Sequence, residues 1–592
     1  AGVRPIWPKS GASFGSGNSP VAAFPPFRLP GFARAWPFLP PVLVGVFLRV
    51  WGLSGQILLD DEWHSLNFVQ DKSFLGVLGT HGIGANCIPQ NLINWLWLHG
   101  AGWSETLLYL PSVLGAGAGL LLFPALVARF AGRAAALFFA WLLAISPCLI
   151  FYSRIVRPYS LVLFFGFLAL TCLALWTREG KPRWLAAYAL SGFAAIYFHL
   201  YAALPVLAPL GALGLLVLVR PGRLADAPWI SARALLGAGL LLAALLLVFL
   251  GPAHVRNPWW LHAQGVSRVT GAGLWEFLSL LAGTRFAVSK LAVATLAALG
   301  LREWFRKDFR IGVLFAAAWV AFFGLLAITT QDGMHAAIQL ARYGIILFPL
   351  AMLQAATALD ALLASRFPGR PPAFRAALGL LAIAGLLAGS PLFRTCAWPN
   401  NFMHHSAFQD SYAAFDESRS RLRQLTPFPQ MPRERVHAFY AAVAADAAVP
   451  GLVEYPMYVG DGFNLHWYAQ HFHRKPVAIG YVPDVSFPPL PYGNEFTYGA
   501  APLDHVFGRV GELGWADRLR FRNLVSLADP ERLRRDFSGW LLVVHRDVLR
   551  ETLELDSGSR EFVPPPGLAE PLTAAFGEPT FADDRLTVWR VR

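Results

Sequence analysis

Apolar runs of about 20 residues, separated by short polar connections, fill the first two thirds of the chain. A run of that length matches a helix that crosses the hydrocarbon core of a bilayer. The fifth and sixth runs meet at His199 with almost no loop, and the eighth is short and carries Lys290. We predict about eleven spanning helices, at residues 36–54, 107–128, 134–151, 159–176, 184–200, 201–219, 234–251, 286–301, 311–329, 343–363 and 376–391.

Basic residues assign a side of the membrane to each connection. Lys and Arg gather in alternate connections, at residues 129–133, 178–183, 220–233, 302–310 and 366–375. By the positive-inside rule these connections are cytoplasmic. The connections between them are poorer in Lys and Arg and are therefore predicted to be extracytoplasmic. One alternation of side accounts for every connection.

The first outer loop, residues 55–106, is too long for a tight turn. It contains apolar residues at helical spacing, with Asp71 and Lys72 among the intervening polar positions and with Trp95 and Trp97 near its end. This pattern predicts amphipathic helices that lie in the membrane interface. A purely structural cap is the alternative interpretation.

Three acids and a histidine stand at the start of this loop, directly after the first apolar run. Ionised carboxylates are costly near hydrocarbon, so a cluster of them beside a membrane helix indicates chemistry rather than packing. A solvated loop after a helix is the alternative. The cluster consists of Asp60, Asp61, Glu62 and His64.

The two ends of the chain differ from its middle. Residues 1–35 are rich in Gly, Pro and Ser and lack the apolar core of a secretory signal, which predicts a flexible cytoplasmic tail. From residue 393 charges return, and strand-like runs at 452–455, 476–481, 540–545 and 586–591 alternate with helix-like ones. We predict a polytopic α-helical membrane protein with its catalytic domain at residues 36–392 and a soluble α/β or α+β extracytoplasmic domain at residues 393–592.

Composition excludes other classes. The chain is 55% hydrophobic and 14% charged, whereas soluble domains are about 25% charged. The net charge of +13 does not indicate nucleic-acid binding, because topology explains where the basic residues stand. Four separated cysteines predict neither a zinc site nor a disulfide framework. We expect no nucleotide or redox cofactor.

Three arginines at predicted outer helix ends oppose the positive-inside bias: Arg154, Arg157 and Arg342. A guanidinium group suits bidentate recognition of phosphate. We therefore predict that these arginines, with Tyr159, bind an anionic lipid phosphate. Ion pairs with the first-loop acids are the alternative, and the two roles are compatible.

Other polar and aromatic residues of the outer loops are candidates for binding or supporting an acceptor. For the tryptophan among them, anchoring in the membrane interface is the alternative role. The candidates are Asp60, His64, His81, Gln90, Trp259 and His262.

A carboxylate beside these arginines narrows the reaction. Transfer of a sugar from a lipid phosphate needs a base for the acceptor hydroxyl and positive charge for the departing phosphate. We predict Asp61 as that base, with Glu62 beside it in the site. Asp61 and Glu62 are also the candidate ligands of a divalent metal, whose presence and identity the sequence leaves open.

Four motifs occur in order along the helical part of the chain: Arg49 at the end of the first helix, Asp61-Glu62, SRIVRPYSL at residues 153–161 and ARYGIILFP at residues 341–349. Together they resemble the GT-C glycosyltransferases, most of all the protein mannosyltransferase and aminoarabinose transferase group. The resemblance covers residues 36–391 and implies a polyprenyl-phosphate-sugar donor, an inverting mechanism, often a divalent metal, and a base matching Asp61.

The chain departs from this group at residues 88–92, IPQNL. Many relatives have a His-Pro-Pro-Leu-like or Lys-Pro-like element there, and some use a second acid, which is missing here. The departure leaves metal coordination and the class of acceptor open.

The leading hypothesis is a bacterial inner-membrane glycosyltransferase that moves a sugar from a polyprenyl phosphate to a lipid, glycan or protein acceptor of the cell envelope. Its expected partners are the donor, the acceptor and membrane lipids. A polysaccharide ligase or polymerase is an alternative that needs no first-loop acid pair. A transporter or flippase would place ionisable groups in mid-membrane, and a non-catalytic scaffold would tolerate loss of Asp61.

Overall fold

The structure is a computed structural model, and it is mostly helical. Among the described residues, five helices are long and apolar enough to cross a membrane: Thr106–Val127, Tyr159–Glu179, Leu200–Val219, Ala232–Val255 and Leu347–Arg366. This is an integral membrane protein. The described residues are 36–53, 62, 65–66, 68–69, 72–80, 87–101, 104–256, 271–284, 286–328, 341–387, 390, 392, 437–455, 473, 475, 530–545 and 569–592.

Fifteen helices are described before residue 393. They are α1 (Leu39–Val50), α2 (Phe74–Leu78), α3 (Ile88–Gly100), α4 (Glu105–Val127), α5 (Arg133–Ile145), α6 (Pro147–Tyr152), α7 (Tyr159–Glu179), α8 (Pro182–Phe198), α9 (Ala203–Val219), α10 (Ala232–Arg256), α11 (Gly271–Ala282), α12 (Ala287–Lys307), α13 (Phe309–Ile328), α14 (Leu347–Arg366) and α15 (Pro372–Leu386). Each of the eleven predicted spanning segments overlaps with at least one of them, and the segment 134–151 overlaps with two, α5 and α6. How many cross the membrane stays a prediction.

Two features of the bundle differ from the sequence prediction. Residues 134–151 were predicted as one helix, but α5 ends at Ile145 and α6 begins at Pro147. Proline disfavours helical backbone in the residue before it, and Ser146 is accordingly extended, with ψ 115°. The short apolar helix α11 lies in a stretch that we predicted as loop.

Helix α7 is at the centre of the bundle. Of its most apolar stretch 83% is buried, compared with 17% for α10, which lies at the edge of the bundle. Helix α7 packs against α4 and α8, and α14 packs against α5 and α12. At the last of these contacts a Cβ atom on Gly300 would lie 1.8 Å from the carbonyl oxygen of Gln354, so only glycine allows this approach.

A small sheet follows near the C-terminus. Strands β1 (Leu452–Tyr455) and β2 (Leu541–His545) pair in parallel, and β2 pairs antiparallel with β4 (Leu586–Arg590), which pairs with β3 (Phe581–Ala582). Its helices are α16 (Ala438–Ala445), α17 (Pro530–Phe537) and α18 (Ala569–Phe576). Three predicted strands are confirmed, and the fourth, residues 476–481, lies outside the described residues. The domain boundaries predicted after residues 35 and 392 stay predictions.

Candidate functional site

The connection between α6 and α7, residues 153–158, forms a tight and fully buried turn. Its shape is held by Ser112 of α4, whose hydroxyl lies 2.9 Å from the carbonyl oxygen of Ile155 and 3.2 Å from that of Arg157. Ser160 in turn donates to the carbonyl oxygen of Ser112 at 2.7 Å. The backbone that carries both arginines is therefore fixed to a neighbouring helix.

Glu62 connects the first outer loop to this turn. Its side chain is fully buried, and its Oε1 accepts a hydrogen bond from the backbone N–H of Val156 at 2.5 Å. Hydrogen bonds to an ionised carboxylate are stronger than those between neutral groups. The hydrogen bond thus anchors Glu62 to the arginine-bearing turn.

Arg154 binds the end of the first helix. Its Nη1 donates to the carbonyl oxygen of Trp51 at 2.7 Å and lies 3.4 Å from that of Leu48. Cations stabilise the C-terminal end of a helix, where carbonyl groups lack partners within the helix. These contacts hold α1 against the turn, and the predicted phosphate role of Arg154 stays a prediction.

Arg157 and Arg342 lie beside the same tyrosine. The guanidinium carbon of Arg157 is 5.9 Å from the ring centre of Tyr159, and that of Arg342 is 6.0 Å from it. Arg342 is also 5.1 Å from the ring centre of Tyr343. Cations are attracted to aromatic faces, but two cations on one ring repel each other. The arrangement favours an anion between them.

His199, at the junction of α8 and α9, belongs to the same group of side chains. Its ring centre lies 5.8 Å from that of Tyr159 and 5.5 Å from that of Tyr343, and Tyr343 stacks on Tyr201 at 4.3 Å. His199 is 2% exposed. We did not predict it as a site residue. The available signal was a histidine at a junction without a loop, at the predicted outer end.

Gln90 is part of a buried polar chain within the first outer loop. Its Nε2 donates to Asn94 at 2.9 Å, Asn94 donates to Ser65 at 2.8 Å, and Ser65 donates to Asn91 at 2.6 Å. All four side chains are at most 2% exposed. The chain connects α3 to the segment that follows the acid cluster. Gln90 therefore supports the loop, and its predicted contact with an acceptor is not tested.

The other candidate residues are not described. No group of three or more His, Cys, Asp or Glu side chains that would hold a metal ion occurs among the described residues. Of the two candidate metal ligands only Glu62 is described, and its Oε1 already accepts from Val156. We therefore derive no step through a metal. The residues outside the described ranges are Asp60, Asp61, His64, His81, Trp259 and His262.

The chain matches no protein-family model and none of the curated proteins compared with it. It is similar to the solved structure of ArnT from Cupriavidus metallidurans bound to undecaprenyl phosphate, at 14% identity, a TM-score of 0.49, and coverage of 95% of this chain and 99% of that one. It is also similar to the archaeal oligosaccharyltransferase AglB from Archaeoglobus fulgidus in complex with an inhibitory peptide and a dolichol-phosphate, at 11% identity, a TM-score of 0.47, and coverage of 89% and 71%.

A further structure of the Archaeoglobus fulgidus oligosaccharyltransferase, in complex with zinc and sulfate, matches at 12% identity and a TM-score of 0.46, with coverage of 89% of this chain and 70% of that one.

Proposed function

We propose that this protein is a membrane glycosyltransferase that transfers a sugar, with inversion, from a polyprenyl-phosphate donor to an acceptor hydroxyl. The observation that carries the proposal is the pair of guanidinium groups, Arg157 and Arg342, on the ring of Tyr159. In the same turn, the backbone N–H of Val156 donates the hydrogen bond that anchors Glu62, the neighbour of Asp61 in the sequence.

In this proposal the two guanidinium groups bind the donor phosphate. During the reaction the acceptor oxygen attacks the anomeric carbon from the face opposite the phosphate. The bond from that carbon to the phosphate oxygen breaks, and its electron pair stays on the phosphate. Fixed positive groups in a water-poor site stabilise the charge that develops there.

Asp61 is the proposed general base and takes the proton of the acceptor hydroxyl. An ionised carboxylate next to the acceptor hydroxyl can take this proton as the bond to the sugar forms. Asp61 thus deprotonates the nucleophile, while the two arginines stabilise the negative charge on the leaving phosphate.

An apolar groove offers a place for the lipid chain of the donor. It has a volume of about 430 Å³ and lies between α11, α12, α13 and α14. One wall is formed by the small residues Ala294, Ala297 and Ala298, and the opposite wall includes Trp319. Phe277 lines the groove and contacts Phe348 edge to face at 5.5 Å, two residues inside the start of α14.

The proposed setting is the bacterial inner membrane, with the site and residues 393–592 on the extracytoplasmic face. Support comes from the alternation of basic connections along the sequence. The acceptor in this setting is a lipid, glycan or protein of the cell envelope.

The test uses the full chain in lipid nanodiscs with a panel of radiolabelled polyprenyl-phosphate sugars and cell-envelope acceptors. Asp61→Asn should abolish transfer while the unfolding temperature stays that of the wild type. Asp584→Asn, an exposed residue near the C-terminus, is the matched control and should transfer normally. Wild-type transfer by Asp61→Asn would remove Asp61 as the base. NMR of the product's anomeric configuration tests inversion.

A further inference from the structure

The junction between α8 and α9 holds a histidine whose hydrogen bonding is incomplete. His199 ends α8, and a 3-10 turn, Leu200–Ala202, leads directly into α9. With 2% of its surface exposed, the ring cannot reach bulk water. Buried polar atoms in proteins almost always have hydrogen-bond partners, so an exception needs an explanation.

The hydrogen bond to one ring nitrogen fixes the position of the ring proton. The backbone N–H of Tyr201 donates to Nδ1 at 3.3 Å, so Nδ1 carries a lone pair. In a neutral imidazole the proton is then on Nε2, which is a donor. Among the residues that the structure describes, Nε2 has no hydrogen-bond partner. The buried Nε2–H group can therefore donate a hydrogen bond to a ligand.

The surroundings of His199 decide what kind of acceptor fits. Its ring lies beside Tyr159 and Tyr343, the two tyrosines against which Arg157 and Arg342 lie. Both guanidinium groups act on His199 electrostatically. A cationic ligand is therefore disfavoured, and so is an imidazolium. An anion with several oxygen atoms can accept from the histidine and both arginines at once.

We propose that His199 binds the phosphate of the polyprenyl donor, with its Nε2–H donating to a phosphate oxygen between Arg157 and Arg342. This inference rests on the proposed function and adds a third phosphate ligand to it. His199 keeps its proton throughout the reaction. Its hydrogen bond becomes stronger as charge builds up on the phosphate during cleavage of the sugar bond, so it acts on the transition state as well as on binding.

Two substitutions separate this role from packing. His199→Phe keeps an aromatic ring of similar size but removes the donor, whereas His199→Gln keeps an N–H donor on a side chain of similar reach. The control is His99→Phe, because His99 is exposed on α3. Each variant is measured as the full chain in nanodiscs, for its affinity for unloaded polyprenyl phosphate and for kcat and KM with the sugar donor.

His199→Phe should lose about 10- to 150-fold in affinity, the range for a hydrogen bond to a charged group. Its kcat should fall as well, since the bond strengthens in the transition state. His199→Gln should stay within about threefold of the wild type, and His99→Phe should not change. Equal affinity of His199→Phe and wild type, while Arg157→Ala loses affinity, would overturn the role of His199 alone. Failure of the wild type to bind any polyprenyl phosphate overturns the proposed function as well.

A spectroscopic measurement keeps the proposal testable if His199→Phe does not fold. The wild-type chain is labelled with 15N-histidine, and the Nε2 resonance of His199 is assigned among the 15 histidines by its absence in His199→Gln. Addition of polyprenyl phosphate should shift this resonance, as should inorganic phosphate at higher concentration. An unchanged resonance under saturating polyprenyl phosphate would show that a water or a neighbouring group accepts from Nε2.

Discussion

Two buried histidines, one in the helix bundle and one beside the C-terminal sheet, have the same local hydrogen bond in opposite surroundings. In each, Nδ1 accepts from the backbone N–H two residues later, Tyr201 for His199 and Lys475 for His473. His199 lies near two guanidinium groups. His473 stacks on Tyr440 at 5.4 Å and lies in the field of the carboxylate of Glu454.

The difference indicates that the cluster around His473 stabilises the fold, whereas the cluster around His199 binds a ligand. The buried carboxylate beside His473 is satisfied within the protein, because the hydroxyl of Tyr440 lies 3.0 and 3.1 Å from its two oxygens. Among the residues that the structure describes, the groups around His199 are two guanidinium groups and three tyrosine rings. Guanidinium groups suit the recognition of a phosphate group. We expect the first cluster to control the stability of the sheet and the second to control binding.

The largest effect is expected from removing a cation beside His199. Arg157→Ala and Arg342→Ala should each weaken the binding of polyprenyl phosphate about 100-fold or more, because a buried anion loses a charged partner. The corresponding lysine variants should recover part of this loss, since lysine keeps the charge without the planar fork. Affinity is measured by titration in nanodiscs.

Arg306→Ala is the matched control for this prediction, because that side chain is 60% exposed and lies far along α12 from the proposed outer end. It should bind as the wild type does. If both alanine variants at the site unfold the protein and the lysine variants bind normally, the two arginines are structural and the contrast between the clusters disappears.

A smaller effect is expected at the sheet. Tyr440→Phe removes the hydroxyl that the Glu454 carboxylate accepts from, and Glu454 is 1% exposed. The sheet should lose about 1–3 kcal/mol, the cost of leaving a buried polar group short of a partner. Hydrogen exchange of the β1 and β2 amides in the full chain measures this loss.

Sugar transfer and phosphate affinity should not change in Tyr440→Phe. Asp584→Asn, exposed in the turn between β3 and β4, is the control for the exchange rates. A parallel loss of phosphate affinity in Tyr440→Phe would mean that the sheet supports the donor site, and the two histidine clusters would then not have separate roles.

Much of the fold followed from the sequence because its signals are local. Long apolar runs predicted the helices, and short strand-like runs predicted β1, β2 and β4. The signal for the helix break at Ser146 is also local, since Pro147 follows it. We did not predict the break because the residues on both sides form one continuous apolar run. Helix α11 was missed because its 12 residues are too few for a spanning run.

The candidate site was predictable only in part, because it is assembled from distant segments. The charge rule drew attention to Arg157 and Arg342, since arginines at outer helix ends are unusual. Nothing local distinguishes His199 from a histidine that packs between two helices. Its meaning depends on Tyr159 and Tyr343, which come 40 residues before it and 144 residues after it and meet it only in the folded chain.

The smallest effect concerns the pH dependence of the sheet. Burial, opposed by the carboxylate of Glu454 and assisted by the charge of Lys475, lowers the pKa of His473 to about 4. The folded chain therefore keeps His473 neutral where the unfolded chain, with a pKa near 6.5, takes up a proton. Stability of the sheet should be complete above about pH 6.5 and should decrease as the pH falls toward 4, by about 1 kcal/mol between pH 7 and pH 5.5.

Hydrogen exchange of the β1 and β2 amides, corrected for the intrinsic pH dependence of exchange, measures this decrease in the full chain. His473→Gln cannot take up a proton and should remove it. An unchanged decrease in that variant would assign the pH dependence to another group. The buried histidine beside the sheet would then not be the group that makes the sheet sensitive to pH.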